Sequence, residues 1–231
     1  MRGVVQRLNP ARAGAAQPAA RSMDPCSNCQ SRLETPLVCH SCHQLVPVDR
    51  APNPYVAFGL PLAFDVDKDA LRKKQLQLTR LMHPDFFGGQ NAVLRALAER
   101  NTAELNHAYE LLKDDAARAD WLVRELGGPK EEDVREMPRE FLLEVLEWSE
   151  TLAEARGTDP KSSERARLAP LRNELVGRRA EILERVTGAL DPLPEPESPA
   201  LATIRRDLNA VRYIDRALSD IAELVLFCTT R

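Results

Sequence analysis

Four of the five cysteines stand in two Cys-x-x-Cys pairs, Cys26 with Cys29 and Cys39 with Cys42, nine residues apart. Each pair brings two thiolates onto one tight turn, and two such turns can close a tetrahedral site for one structural zinc ion. A secreted disulfide framework, redox-active thiols and an iron-bound form compete with this reading, but nothing in the chain suggests export. Because four thiolates complete the shell, His40 and His43 are expected to sit behind the ligands or face solvent. A loop this small has no core of its own without metal. Loss of a ligand, as in Cys39→Ser, would thus release the ion and leave the melting of the remaining helices nearly unchanged. Cys228 stands alone and is expected to pack as a small hydrophobe.

The second group with chemical potential is His83-Pro84-Asp85. Pro84 biases His83 out of the helical region, so a helix arriving from Asp67 must end there and present an acid and an imidazole on an exposed turn. That helix has Asp67 as its N-cap, and Leu71, Leu78 and Met82 at helical spacing. Its other positions include Lys68, Arg72, Lys73, Lys74 and Arg80, giving residues 66–82 a net charge of +3. After Phe86-Phe87-Gly88-Gly89, a second periodic stretch (Val93, Leu97, Leu105, Ala108, Tyr109, Leu112) predicts the returning helix of a hairpin.

With 231 residues, 5% aromatics and an abundance of Leu, Ala, Glu and Arg, the chain is expected to be all-α, with one sizeable core or two small ones. A formal charge of -3 argues against a nucleic-acid binder. No run approaches the roughly 18 apolar residues of a membrane span, so no membrane partner and a soluble protein are expected. Residues 131–155 carry a net charge of -7, opposite in sign to the basic helix, which suggests two surfaces for two partners. Residues 1–22 hold Arg2, Arg7, Arg12 and Arg21 and no acid. They fit an extension upstream of an internal start at Met23 or an organellar transit peptide, disordered in either case. The cytoplasm is the expected compartment, with the mitochondrial matrix as the alternative should they be a transit peptide.

The expected organisation is a disordered extension (1–22), a four-cysteine zinc module (23–50), a helical hairpin domain (53–126), a linker (127–137) and a three-helix bundle (138–228). Leu126-Gly127-Gly128-Pro129 stops the first domain. The bundle helices are drawn at Pro138 to Ala155, about Leu168 to Leu190, and Pro199 to about Phe227, with Gly157 to Pro160 and Asp191 to Pro196 as breakers. Pro170 belongs in the first turn of the second. At about 100° per residue, Phe141, Val145, Trp148 and Leu152 form the inward stripe of the first. Leu142, Leu143 and Leu146 then share the opposite face with Glu147, Glu150 and Glu154, either as a docking surface or packed on the hairpin domain. On the last helix Tyr213 projects away from the stripe of Ile204, Leu208, Val211, Ile214, Leu218 and Ile221, as an interface anchor or as edge packing.

The ordered set Tyr55-x-x-Phe58-Gly59-Leu60, basic helix, His83-Pro84-Asp85 and Asn106-x-Ala108-Tyr109-x-x-Leu112 resembles a J domain. Followed by a bundle that opens Phe141-Leu142-Leu143-Glu144, it resembles the HscB-type iron-sulfur cluster co-chaperones, in the form with an N-terminal zinc-binding extension. The resemblance implies two partners. A DnaK/HscA-class ATPase would be contacted by His83, Pro84, Asp85, Lys74 and Arg80. An IscU-type scaffold would be held by Leu142, Leu143, Leu146, Glu147, Glu150, Glu154 and Tyr213; Val145 and Trp148 differ from the residues some members carry there. With no phosphate-binding loop, metalloprotease His pair or nucleophile with an evident base, the chain is not expected to be an enzyme. A general J protein for unfolded clients and a redox or metal-donor protein are the competing readings.

Overall fold

The computed structural model describes residues 24–87, 91–134, 136–159 and 162–226. Residues 1–22, Met23, Gly88, Gly89, Pro160, Phe227 and Cys228, on which some expectations rest, lie outside these. The described residues form eight α-helices and no sheet: α1 (Pro54–Ala57), α2 (Lys68–Leu81), α3 (Ala92–Lys113), α4 (Asp115–Glu125), α5 (Arg139–Ala155), α6 (Ser163–Ala166), α7 (Leu168–Leu190) and α8 (Ala200–Leu226).

Local rules place most of these ends. The Asp67 carboxylate accepts from the amides of Asp69 and Ala70 and starts α2, while Asn91 accepts from Val93 and starts α3. Leu71, Leu78 and Met82 bury the inner face of α2 against α3, and Gln75 donates to Asn106 across the pair at 2.9 Å. The inward stripe of α3 differs from its sequence reading at one end. Val93 is exposed, and Ala98 and Asn101 take the inner positions ahead of Leu105, Ala108 and Leu112. Spacing alone does not reveal α4. It is closed onto the hairpin by buried Arg118, which donates to Phe64 O (2.8 Å) and Leu112 O (2.5 Å), pairs with Asp115 (2.6 Å), and lies 4.6 Å over the Phe64 ring. Positive φ at Gly127 turns the chain out of α4, and its amide closes on Arg124 O at 3.1 Å.

The cysteine segment is not an appendage. Leu37, Val38, Leu45 and Val48 are buried in the same continuous core as Tyr55, Phe58, Leu105 and Leu112. Asn101, fully buried on α3, donates to the carbonyls of Leu37 (2.7 Å) and Val46 (2.9 Å), and Thr35 donates to Ala57 O (2.8 Å). At Gly59, where φ is +59°, a Cβ would lie 2.4 Å from Glu34 O, so only glycine lets the segment approach. The segment therefore supplies part of the helices' core, which bears on the expectation that they would melt nearly unchanged after loss of a cysteine ligand.

α5, α7 and α8 form the second half, with α5 lying on both longer helices. Pro138 sits at the N-cap of α5 and Pro170 in the first turn of α7, where a missing amide costs nothing. α8 also packs on α4, so the two halves meet across a wide contact rather than through a loose tether.

Candidate functional site

The four cysteine sulfurs lie within 4.8 Å of one another, with Cys26 to Cys42 and Cys29 to Cys39 at 3.6 Å. A tetrahedron of sulfurs about 2.3 Å from a metal has edges of about 3.8 Å, so the donor set fits such an ion, whereas disulfides need about 2.05 Å. The fold builds this cage from one turn used twice, thirteen residues apart. Cys26 N donates to Ser31 O and Gln30 N to Cys26 O; Cys39 N donates to Gln44 O and His43 N to Cys39 O. Antiparallel bridges Pro25 to Arg32 and Val38 to Leu45 flank the two turns, and Gln30 and His43 each take positive φ at the same point. His43 is thus a turn residue, and both it and His40 are exposed, away from the sulfur cluster. Hydrogen bonds from the Ser31 hydroxyl and amide pull the Cys29 thiol down to about 6, and the amides of Cys29 and Asn28 lower Cys26. The Cys42 amide lowers Cys39, but burial and the neighbouring thiols outweigh it and push that thiol up to about 11. Easily formed thiolates at Cys26 and Cys29 beside the sheltered Cys39 thiol are what an entering cation would draw into full ionisation.

His83-Pro84-Asp85 forms the start of a single 3-10 turn, Pro84–Phe86, in the connection that joins α2 to α3. His83 is extended, as Pro84 requires, and its Nδ1 accepts from the Asp85 amide at 3.3 Å. The Asp85 carboxylate lies 3.6 Å from the same Nδ1, and its side chain is 88% exposed. Arg80 is exposed one turn before the loop, Lys74 is half-buried, and Lys68 is engaged at 2.9 Å by Asp115 of α4.

On α5 the inner stripe of Phe141, Trp148 and Leu152 is buried and Val145 is half-buried against it. Leu142, Leu143 and Leu146 are 43%, 52% and 58% exposed, so this face does not pack on the hairpin half. Glu147 and Glu150 are exposed beside them. Glu154 pairs with Arg167 at the start of α7 and Glu144 with Arg178 at 3.5 Å, so two of the helix's carboxylates are already engaged. Tyr213 is 44% exposed on α8, and its ring meets Phe141 edge-on at 5.9 Å, while Phe141 also meets Trp148 edge-on at 5.8 Å. The three expected groups thus fall at three separate places.

Sequence reasoning missed the residues that hold these places together. Asn101 lies in the stripe that contains Ala98 and Leu105, and a polar residue at a core position was a legible signal. Arg205, fully buried on α8, carried a similar signal among Leu201, Ile204 and Leu208.

A helical hairpin with an outward His-Pro-Asp turn, joined to a three-helix bundle, defines a J-domain-type architecture. Residues 137–222 match the family model described as the HSCB C-terminal oligomerisation domain. The chain is 34% identical over 110 residues to a co-chaperone protein HscB homolog of Mannheimia succiniciproducens, covering 46% of this chain and 62% of that one. It is 31% identical over 157 residues to the iron-sulfur cluster co-chaperone protein HscB of Homo sapiens, covering 65% and 66%. The crystal structure of the human co-chaperone HscB superposes with a TM-score of 0.68 at 24% identity, over 86% of this chain and 97% of that one. The chain is thus similar to the HscB co-chaperones, and its matches span less than two thirds of the length of these two relatives. Both relatives are named as co-chaperones, a non-enzymatic class. No described helix is long and apolar enough to cross a membrane.

Proposed function

We propose that this protein stimulates the ATPase of a DnaK/HscA-class chaperone through His83, Pro84, Asp85, Lys74 and Arg80. It delivers to that chaperone an IscU-type iron-sulfur scaffold held by Leu142, Leu143, Leu146, Glu147, Glu150, Glu154 and Tyr213. The observation that carries this reading is the simultaneous exposure of the Asp85 turn and of three leucines on a different helix, each backed by a buried core. Exposed apolar residues without a structural task mark a docking face, and an exposed acid beside a basic helix suits a partner of opposite pattern. Binding the scaffold at one end while biasing the ATPase at the other needs no active site, only differential affinity for the ATPase's clamped state. Cys26, Cys29, Cys39 and Cys42 hold one structural zinc ion. The assigned compartment is the cytoplasm, the matrix being the alternative if residues 1–22 are a transit peptide.

Asp85→Asn removes one exposed charge and touches no core, so it should leave scaffold binding and melting unchanged while abolishing ATPase stimulation. Steady-state ATP turnover by the partner chaperone measures this; stimulation equal to that of the unaltered protein would overturn the reading.

A further inference from the structure

Asn209, Arg212, Tyr213 and Arg216 recur at three- and four-residue spacing along α8, and so form one stripe on its surface. The stripe lines a groove of about 400 Å³ against Val134 and Met137 of the segment that leads into α5. The groove wall is fixed from beneath, since Asn209 is buried and its Nδ2 donates to Val134 O at 2.7 Å. Arg212 is engaged by Glu131. Arg216 is exposed and has no acidic partner among the described residues.

Arg216 lies between two points where α8 reaches α5. One turn before it, Tyr213 meets Phe141; one turn after it, Asp220 pairs at 3.2 Å with Arg156, which follows α5. The seam so defined borders the side of α5 that carries Val145, Ser149 and Leu142. The free carboxylates lie on the other side. By helical phase, Leu142 and Leu146 sit between this seam and the edge that holds Glu147 and Glu150, since Glu144 and Glu154 are engaged by Arg178 and Arg167. Beside the leucine face α8 therefore offers one cation unpaired among the described residues, Arg216, and the far edge of α5 offers the exposed carboxylates of Glu147 and Glu150.

We propose that Arg216 is a specificity-determining residue of this docking face, and that it receives an acidic segment of the same scaffold partner in the groove beside Tyr213. This rests on the scaffold reading above and adds polarity to it. A face with one sign of margin attracts a partner of opposite charge in any rotation about the apolar centre. A face with two margins of opposite sign admits one orientation, because the reversed one places like charges together at both edges. The partner must then carry acid where it meets α8 and base where it meets the far edge of α5, with an apolar patch between. Tyr213 joins the centre to the groove, offering a ring face to an apolar side chain next to the acid.

The test uses the full chain and the purified IscU-type scaffold of the same organism, titrated calorimetrically at 50 mM and 500 mM salt. Arg216→Glu should weaken binding about tenfold at low salt and about threefold or less at high salt, because a rim charge is screened. Arg216→Lys should restore most of the loss, and melting should not move in either variant. In a set of Asp→Lys and Glu→Lys variants of the scaffold, one should bind Arg216→Glu better than it binds the unaltered chain, as charge exchange across a defined contact requires. If Arg216→Glu binds normally while Leu142→Ala with Leu146→Ala does not, the basic margin is overturned and the scaffold reading stands. If the unaltered chain does not bind the scaffold at all, the scaffold reading fails, and this inference fails with it.

Discussion

Leu142 and Trp148 lie six residues apart on one helix, and truncating them should have opposite consequences. Trp148 is buried, in edge contact with Phe141, so Trp148→Ala opens a cavity beneath α5 and should cost about 3–5 kcal/mol. Leu142 and Leu146 already face water, so replacing both with Ala creates no cavity and should change stability by about 1 kcal/mol or less. Their contribution appears only against a partner, where each buried leucine lost weakens binding by about tenfold. Denaturant melts paired with calorimetric titration of the scaffold separate the two. A double Leu variant that unfolds as readily as Trp148→Ala yet binds normally once folded would contradict the outward face. This division was legible in the sequence because a helix turns by a fixed angle per residue, so a face follows from spacing alone. The engagement of Glu154 by Arg167 was not, because the two meet only after the α5 to α7 connection has folded.

At the scale of elements, the cysteine cage and the hairpin form one cooperative unit. Leu37, Val38, Leu45 and Val48 are buried among residues of the hairpin, and burying each contributes about 1.5–3 kcal/mol relative to exposure. Without an ion the two turns lose the constraint that closes them, and Asn101 is left with its carbonyl acceptors displaced. Stripping the metal with a chelator, or Cys39→Ser, should therefore lower the melting temperature of the hairpin by at least about 5 °C, read by scanning calorimetry with metal content measured in parallel. Metal loss with an unchanged transition would refute the shared core. The cage itself could be read in the sequence, since ligand spacing is a local property. Its attachment could not, because Asn101 lies 64 residues from one carbonyl it holds, and no short-range pattern carries that information. Helix ends marked by Asp67 and Pro138 were equally legible, whereas α4 is held by Arg118 reaching back to Phe64 and Leu112, again a contact made only in the fold.

For the molecule as a whole, the two proposed binding faces sit in different halves, so what fixes the halves fixes the geometry in which one partner is presented to the other. Arg205 of α8 is fully buried, donates to Pro129 O at 2.9 Å and pairs with the Asp120 carboxylate of α4. Two backbone contacts support it. Glu197 N donates to Leu126 O at 2.7 Å, and a Cβ on Gly128 would lie 2.7 Å from Val123 O and 3.0 Å from Leu201 Cβ, so the segment after α4 lies flat against the start of α8. Arg205→Ala would leave Asp120 half of its ion pairing, through Arg124 alone at 2.7 Å, and would strand the Pro129 carbonyl, at a cost of about 3–5 kcal/mol. Because that cost falls on the contact between halves and not on either interior, the single calorimetric transition expected of the unaltered chain should broaden or divide into two in the variant. Scaffold affinity should stay within about threefold, since α5 and Tyr213 keep their support, and basal stimulation by the Asp85 turn should also remain. If scaffold and chain supplied together stimulate the ATPase more than the chain alone, that added stimulation should be lost, because such a gain would depend on presentation at a fixed angle. Undiminished synergy alongside a divided melting curve would show that a flexible tether suffices and that the buried arginine serves stability alone.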